Sequence, residues 1–397
     1  MITTNTPADA EWEPHAQRLA DELAAAGKFT DPRLAEAVRA VPRHAFVPTY
    51  HQQTPDGSWA QRTSVDDLAA VYSNTVLITA LARTATGGTT VLSSSTQPGL
   101  MTRMIEALNL ADGARVLEVG TGTGYNAALL AHRLGDEQVC SVDVEADLVE
   151  LARQRLAELG YHPTLVVGDG AAGLPEHAPF DAIIATCAVP AIPWAWIEQV
   201  RPGGVILTDL KPAPGAGSLV RLTRTAEDRA EGRFDPTYAA FMDLRHTAGD
   251  NPAGFQVERD HGQAEHRTTS LDPNTPWTSL LVWFLASFDL GPGISYGYTL
   301  PESGAVPVRS DTAPTACWMA TPDGSWAEIA LASDNGQHEV AEGGLRRLWQ
   351  LVENAHDTWT ELGQPGWNRF GLTVTREMHT VWFDHPDGKR AWHIASH

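Results

Sequence analysis

The segment LEVGTGTGYNAALL, at residues 117–130, carries the most specific chemical signal in this sequence. It places Gly120, Gly122 and Gly124 between an apolar run that predicts a strand and a segment that predicts a helix. Glycine lets the backbone turn sharply and approach a ligand closely, so a loop of this kind indicates a nucleotide-binding site. The stretch GTGYNA, at 122–127, also fits the relaxed dinucleotide pattern Gly-x-Gly-x-x-Ala.

Two acidic residues at the ends of later predicted strands indicate which chemical groups that ligand carries. Asp143 ends the next predicted strand, 19 positions after Gly124, where a carboxylate can accept hydrogen bonds from both ribose hydroxyls. Asp169 follows the third strand between Gly168 and Gly170, where it can bind an adenine amine while the glycines leave room for the ring. Nicotinamide and adenosyl cofactors both present these groups, so both remain open at this point.

The elements that position these residues alternate along the chain. Predicted strands lie at 115–119, 138–142, 164–167, 182–186 and 205–209, and predicted helices at 125–134, 146–159 and 190–200. This alternation predicts an α/β fold whose doubly wound, mostly parallel sheet is covered on both faces. Residues 218–224 and a second run near 234–244 are predicted to add an antiparallel hairpin at one edge of the sheet.

The complete series over about 115–210 resembles the class I S-adenosylmethionine-dependent methyltransferases. The resemblance implies S-adenosylmethionine as the cofactor and no metal ion. The residues that it places at the cofactor are Ser94, Ser95, Glu118, Gly120, Thr121, Gly122, Gly124, Asp143, Val144, Gly168, Asp169, Gly170 and Thr186.

The segments VPRHAFVP, VYSNTVLIT and SSSTQPGLMTRMIEALNL, which precede the first strand, narrow the resemblance to the protein-L-isoaspartate O-methyltransferase family. In that family a serine before a Gln/Ala-Pro pair contacts the carboxyl group of the substrate. Thr96 stands at this place here; it keeps the hydroxyl and adds a methyl group. The resemblance therefore implies Thr96 as the catalytic residue. A threonine is also a good cap for the predicted helix at 98–110, and the two roles are compatible.

The long N-terminal region, the stretch ATCAVPAIPWAWIEQVRPGGVILT and the extra C-terminal region resemble methyltransferases encoded beside ATP-grasp enzymes that macrocyclise ribosomal peptides, the graspetides. This resemblance implies methylation of an aspartate in a macrocyclised acidic precursor peptide, after which the ester closes to an aspartimide. The ATP-grasp ligase is then a candidate partner. The alternatives are repair of L-isoaspartyl residues and, more distantly, an NAD-dependent oxidoreductase, for which no Tyr-x-x-x-Lys signal is present.

The predicted domain organisation has four parts. Residues 1–92 form an N-terminal helical and loop extension, 93–245 the methyltransferase core, 246–273 a linker or loop, and 274–397 a C-terminal α+β accessory region. We hypothesise that the accessory region holds the peptide through tryptophans as apolar anchors. The candidates are Trp318, Trp326, Trp349 and Trp359. The heptapeptide TPDGSWA, which occurs at 54–60 and 321–327, and the related HPDGKRAW at 385–392 predict turns.

Charge and cysteine content exclude several classes of function. The chain has 28 basic and 49 acidic residues among 397, a net charge of -21, which repels nucleic acids and acidic membranes. An acidic peptide would need a local basic patch, for which Arg83 and Arg103 are candidates, although arginines are usually solvated at the surface. The three cysteines are widely spaced, which argues against a disulfide framework or a zinc site. With no secretory signal or apolar span in the sequence, we expect a cytoplasmic protein.

Overall fold

The computed structural model describes residues 12–83, 88–248, 257–300 and 313–395. Within these ranges the strands form three sheets: a four-stranded sheet near the N-terminus, a ten-stranded central sheet and a five-stranded sheet from the C-terminal part. Among the helices of these ranges, none is long and apolar enough to cross a membrane.

The central part of the chain contains the alternation that the sequence predicts. Its elements are α5 (Pro98–Ala107), β5 (Val116–Val119), α6 (Tyr125–Leu134), β6 (Val139–Asp143), α7 (Ala146–Glu158), β7 (Thr164–Val167), β8 (Phe180–Val189), α8 (Trp194–Gln199), β9 (Val200–Ala213), β10 (Ala216–Ala226) and β11 (Arg229–Phe234).

Strands β7, β6, β5, β8 and β9 lie side by side in this order, and each adjacent pair is parallel. The strand order reverses between β5 and β8, so the connections that leave these two strands open a crevice at their carboxyl ends. Every residue of β5 is buried, which explains why three of its four residues are apolar. The predicted parallel sheet and its helices are confirmed.

The N-terminal part packs on one face of the central sheet. Its elements are α1 (Glu13–Ala25), α2 (Pro32–Ala40), α3 (Arg43–Phe46), β1 (Thr49–Gln53), β2 (Trp59–Thr63), α4 (Leu68–Val71), β3 (Leu77–Arg83) and β4 (Thr89–Ser95). The sequence analysis expected helices and loops, and the four-stranded antiparallel sheet in the order β2-β1-β3-β4 was missed. Strands β1 and β2 are largely polar and only one of their ten residues is buried, so they lack the apolar alternation that marks a strand.

The C-terminal part contributes to two sheets. Its elements are β12 (Glu265–Thr269), α9 (Thr275–Thr278), α10 (Leu280–Leu290), β13 (Ser295–Thr299), β14 (Ala316–Ala320), β15 (Trp326–Asp334), β16 (Gln337–Gly343), α11 (Leu348–Glu361), β17 (Phe370–Val374), β18 (Met378–Phe383) and β19 (Ala391–Ala395). Strands β12 to β16 form the five-stranded sheet, whereas β17, β18 and β19 extend the central sheet beyond β11.

Two details differ from the sequence-based expectations. The hairpin is not at the edge of the central sheet, and its second strand is Arg229–Phe234 rather than a run near 234–244. The predicted linker at 246–273 contains strand β12, which pairs with β16. Polar and charged residues dominate β11 and β12, so apolar periodicity could not reveal these two strands. The four-part domain division remains a prediction, and strand pairing between β11 and β17 crosses it.

The three Pro-Asp-Gly segments are turns between adjacent antiparallel strands, as the sequence predicts. They join β1 to β2, β14 to β15, and β18 to β19. In the first two, the backbone N–H groups of Ser58 and Ser325 donate to the carboxylates of Asp56 and Asp323, at 3.1 and 2.9 Å. The repeated heptapeptide therefore reflects the same turn chemistry at two places.

Candidate active site

The glycine loop that follows β5 forms part of the crevice wall. Gly120 and Gly122 have φ angles of 98° and 50°, in the left-handed region that favours glycine. A Cβ atom on Gly120 would lie 2.6 Å from Oγ1 of Thr186 on the neighbouring strand β8. Gly124 has a φ of 88°, and a Cβ there would lie 3.0 Å from that of Ala152, so this glycine allows close packing of α6 on α7.

Asp143, the last residue of β6, is tied to the glycine loop. Its Oδ2 accepts a hydrogen bond from the backbone N–H of Gly122 at 2.9 Å, and its Oδ1 accepts one from the N–H of Glu145 at 3.0 Å. Each carboxylate oxygen has a second lone pair, so the group can still accept hydrogen bonds from a ligand. The two backbone bonds hold the carboxylate in a defined orientation.

A cavity of about 1100 Å³ opens at the carboxyl ends of β5, β6 and β8. Ligand pockets typically measure roughly 300–1,000 Å³, so this cavity has room for a nucleotide-sized cofactor and part of a second molecule. Eight of the predicted site residues line it: Ser94, Thr96, Gly120, Gly122, Asp143, Val144, Gly170 and Thr186. The predicted catalytic hydroxyl and the glycine loop thus border the same space.

The other six predicted residues lie around this cavity. Ser95, Glu118 and Thr121 line a small adjoining cavity, which shares Ser94, Thr96, Gly120, Gly122 and Thr186 with the large one. Gly124, Gly168 and Asp169 line neither. Oδ2 of Asp169 lies 2.9 Å from Nδ1 of His246, and it is this histidine that borders the large cavity.

Glu118 is fully buried beneath the loop. Its carboxylate accepts hydrogen bonds from Nδ2 of Asn126 at 2.7 Å and from Oγ of Ser141 at 2.6 Å. Burial raises the pKa of Glu118 to about 7, and these two hydrogen bonds oppose that rise. The group therefore braces β5, β6 and the start of α6 from inside rather than facing the large cavity.

Arg43 organises the segment that carries Thr96, and the sequence analysis did not single it out. Its guanidinium is fully buried and donates to the carbonyl oxygens of Val71, Ser73, Thr75 and Thr96 at 2.8 to 3.3 Å. Burial lowers the pKa of Arg43 to about 10, which leaves it protonated at neutral pH. An arginine between two prolines in VPRHAFVP is the signal that could have drawn attention to it.

The Thr96 hydroxyl is free to bind a ligand. Thr96 is half-buried, and its carbonyl oxygen accepts the bond from Arg43. Across the described ranges, its side chain makes no hydrogen bond. The nearby Ser95 differs, since its hydroxyl lies 3.4 Å from Nη2 of Arg43.

A second feature that the sequence analysis missed is the segment 237–246, which lines the cavity. The N–H of Phe241 donates to Oδ2 of the buried Asp209 at 2.9 Å, and Nζ of Lys211 donates to the carbonyl of Phe241. Burial raises the pKa of Asp209 to about 6, and Lys211 opposes this rise. Asp209, the acidic residue at the end of the predicted strand 205–209, is the feature of the sequence that could have drawn attention to this region.

These features fit an adenosyl cofactor. A carboxylate that retains acceptor capacity faces the cavity at Asp143, and the wall at Gly120 and Gly122 has no side chain to prevent close approach. Asp143 would accept from the ribose hydroxyls, and the loop backbone would contact the cofactor. The residues that line the cavity therefore fit S-adenosylmethionine.

Comparison with known proteins identifies the family. The family Protein-L-isoaspartate(D-aspartate) O-methyltransferase (PCMT) matches residues 14–237. The protein-L-isoaspartate O-methyltransferase of Methylorubrum extorquens is 40% identical over 236 residues, which cover 59% of this chain and 90% of the relative. That of Ignicoccus hospitalis is 33% identical over 217 residues, 54% of this chain and 90% of the relative. The chain belongs to this family.

Membership makes the chain an S-adenosylmethionine-dependent protein carboxyl O-methyltransferase with the class I methyltransferase fold. A solved structure of a protein-L-isoaspartate O-methyltransferase has a TM-score of 0.52 with 21% identity. It covers 93% of this chain and 100% of its own length, so the likeness in fold continues beyond the region matched by the family. The prediction of a nicotinamide-dependent enzyme is set aside.

Replacing Asp143 by alanine is expected to weaken binding of S-adenosylhomocysteine by about 1–3 kcal/mol, because two hydrogen bonds to a charged acceptor are lost. Calorimetric titration measures the change. Asp147→Ala, on the first turn of α7 and outside the cavity lining, is the matched control. An Asp143→Ala protein with wild-type affinity would remove this carboxylate from the cofactor site.

Proposed function

We propose that this enzyme methylates the side-chain carboxylate of an aspartate in a ribosomally made, ATP-grasp-macrocyclised peptide, and that the ester then closes to an aspartimide. The observation that supports methyl transfer to a carboxylate is the shared cavity, in which Thr96 and the glycine loop at Gly120–Gly122 border one space. The cavity volume of about 1100 Å³ suits a cofactor together with a compact peptide loop. The proposed substrate comes from the sequence resemblance to the graspetide-associated enzymes.

The chemistry needs little from the protein beyond positioning. A carboxylate with an ordinary pKa of about 4 is already ionised at pH 7, so no strong general base is required. S-adenosylmethionine, when bound, supplies the methyl group as an electrophile. Holding two reactants in line can contribute up to about 7–11 kcal/mol in favourable cases. The residues of the cavity therefore act by orienting the substrate carboxylate and by replacing the water that it loses.

Thr96 is the proposed donor to the substrate carboxylate. Its hydroxyl hydrogen bonds to one carboxylate oxygen, which leaves the other oxygen to attack. Arg43 acts as a positioning residue, because its bonds to the carbonyl oxygens of Thr96 and of the 71–75 segment hold this hydroxyl in place. The hydroxyl also replaces part of the water shell that the carboxylate leaves behind.

Thr96→Ala is expected to lower the turnover number about 10- to 100-fold, because a hydrogen bond to a charged group is worth roughly 1.5–3 kcal/mol. Affinity for S-adenosylhomocysteine should change much less, and Thr96→Ser, which keeps the hydroxyl, should retain activity. Single-turnover methyl transfer and calorimetry on the same preparations measure both quantities. Full activity of Thr96→Ala would exclude the role assigned to this hydroxyl.

Formation of the aspartimide follows from the chemistry of the ester. The backbone nitrogen of the next residue attacks the ester carbonyl, a C–N bond forms, and methanol leaves with the amide proton. A methyl ester is a better acceptor than a carboxylate, so methylation is the activating event. A constrained peptide loop favours closure of the five-membered ring.

The C-terminal tryptophans do not all serve as peptide anchors. Trp326 and Trp349 are 3% and 0% exposed, and both pack inside the protein. Trp318 is partly exposed beneath the guanidinium of Arg259, at 5.1 Å, and Trp359 donates to the carbonyl of Pro365. Only Trp318 and Trp359 of the four candidates remain available to the proposed recognition role. The free, buried cysteines suit the proposed cytoplasmic location.

Repair of L-isoaspartyl residues is the second candidate. The protein-L-isoaspartate O-methyltransferases of Methylorubrum extorquens and Ignicoccus hospitalis match this chain over 90% of their own length. The C-terminal region does not distinguish the two substrates, because a solved protein-L-isoaspartate O-methyltransferase shares the fold over 93% of this chain. Transfer of a methyl group to an isoaspartyl carboxylate uses the same cavity and the same residues.

Product mass distinguishes the two candidates. The protein is incubated with S-adenosylmethionine and either a macrocyclised precursor peptide or a linear L-isoaspartyl peptide. The proposed function predicts gain of one methyl group on an aspartate of the macrocycle, followed by loss of methanol. Methylation of the isoaspartyl peptide alone, with the macrocycle unchanged at equal concentration, would contradict it and favour repair.

A further inference from the structure

The charge of the cavity lining is opposite to the charge of the protein. Over the whole chain, acidic residues outnumber basic ones by 49 to 28. Among the lining residues that the structure describes, five are lysine or arginine and two are aspartate. The cations are Lys28, Arg83, Arg103, Lys211 and Arg245, and the carboxylates are Asp143 and Asp243. The described lining therefore has an excess of basic side chains, whereas the chain as a whole has an excess of acidic ones.

Three of these cations have acidic partners. Arg103 pairs with Asp235 at 3.0 Å, Lys211 pairs with Asp243 at 2.8 Å, and Arg245 pairs with Glu145. These pairs fix the surrounding segments, because each joins elements that are distant in sequence. The charges of these three cations are thus largely neutralised within the protein.

Lys28 and Arg83 differ from the other three. In the part of the chain that the structure describes, neither makes an ion pair. Lys28 is half-buried in the connection between α1 and α2, and Arg83 is exposed at the end of β3, opposite Thr89 of β4. Both belong to the N-terminal part of the lining, which also provides Ser94 and Thr96. Among the described residues of this lining, they are the lysine and arginine side chains without an acidic partner.

We propose that Lys28 and Arg83 bind acidic side chains that flank the methylated residue, and that the enzyme selects peptides carrying at least one further carboxylate. This inference rests on the proposed methyl transfer to a carboxylate but is independent of whether the acceptor is aspartate or isoaspartate. The methylated carboxylate becomes a neutral ester in the reaction, so a cation paired with it would lose its partner. A flanking carboxylate keeps its charge throughout and can remain bound.

The test compares two linear peptides with one L-isoaspartyl residue each, flanked by glutamates in one and by glutamines in the other. For the wild-type protein we expect a Kd about 5- to 10-fold lower for the glutamate peptide, from two partly screened ion pairs. In the double variant Lys28→Gln/Arg83→Gln this ratio should approach one. Lys389→Gln, which removes an exposed lysine in the turn between β18 and β19, should leave the ratio unchanged.

Binding is measured by calorimetry in the presence of S-adenosylhomocysteine, so no methyl transfer is needed. The ratio of the two affinities on one preparation does not depend on the fraction of folded protein. Raising the salt concentration from about 50 to 300 mM should reduce the wild-type preference, because exposed charges are screened. Variants Lys28→Arg and Arg83→Lys should retain it.

Equal affinity of the wild-type protein for the two peptides, or an unchanged ratio in the double variant, would overturn the inference. The proposed function fails by a different outcome, namely charge-selective binding without methyl transfer to a macrocyclised peptide. The two failures are therefore distinguishable.

Discussion

Replacing Arg43 by methionine is expected to lower the free energy of unfolding by about 3–5 kcal/mol, since a buried network loses its donor. The carbonyl oxygens of Val71, Ser73, Thr75 and Thr96 would lose their hydrogen bonds inside the protein. Methionine has a similar volume but neither donor nor charge, so the substitution tests the buried polar interactions rather than the volume.

Urea denaturation monitored by tryptophan fluorescence measures this change. Arg369→Met is the matched control, because Arg369 is 47% exposed and pairs with Asp384 at the surface. An exposed ion pair contributes about 0–1 kcal/mol, so the control should remain near the stability of the wild type. Equal stability of Arg43→Met and the control would show that the buried guanidinium does not hold this region together.

Gly120→Ala is expected to reduce the affinity for S-adenosylhomocysteine at least about 100-fold, or roughly 3 kcal/mol. The φ of 98° is unfavourable for alanine, at a cost of about 1–2 kcal/mol. The new Cβ would also lie 2.6 Å from Oγ1 of Thr186, so the loop or strand β8 must move. Either displacement changes the wall of the cavity at the cofactor.

Gly160→Ala is the control for backbone strain alone. Gly160 has a φ of 79°, and a Cβ there would meet no atom within 4 Å. The Gly160→Ala protein should lose some stability, but its affinity for the cofactor should remain near that of the wild type. The double variant Gly120→Ala/Thr186→Ala removes the contact with the hydroxyl and should recover part of the affinity. Tight cofactor binding by Gly120→Ala itself would show that the loop tolerates a side chain.

Local sequence patterns predicted the parallel sheet and singled out Gly120, Gly122 and Asp143, which line the cavity. Strand β5, the glycine loop and α6 are adjacent in sequence, and Asp143 follows at the end of the next strand, so their arrangement depends on one right-handed crossover. The resemblance to a known family added Thr96, whose place in the cavity depends on a segment 20 or more residues earlier. Apolar periodicity was sufficient for these buried elements.

Polar strands escaped the same reasoning because strand pairing, rather than burial of apolar side chains, holds them in place. Strands β1 and β2 show no apolar alternation, and β12 lies in a stretch that reads as a linker. Each is stabilised by backbone hydrogen bonds to a neighbour whose position the local sequence does not encode.

By itself, the sequence determined the α/β class, the glycine loop and its acidic partner at Asp143, because these features depend on contacts between neighbouring elements. Only the tertiary structure decided that β17 extends the central sheet from β11, that Arg43 supports the Thr96 segment, and that Lys28 and Arg83 border the same cavity. The physical reason is distance along the chain. Contacts between residues far apart in sequence depend on how whole helices and strands pack together. The local periodicity of a single sequence contains no information about that packing.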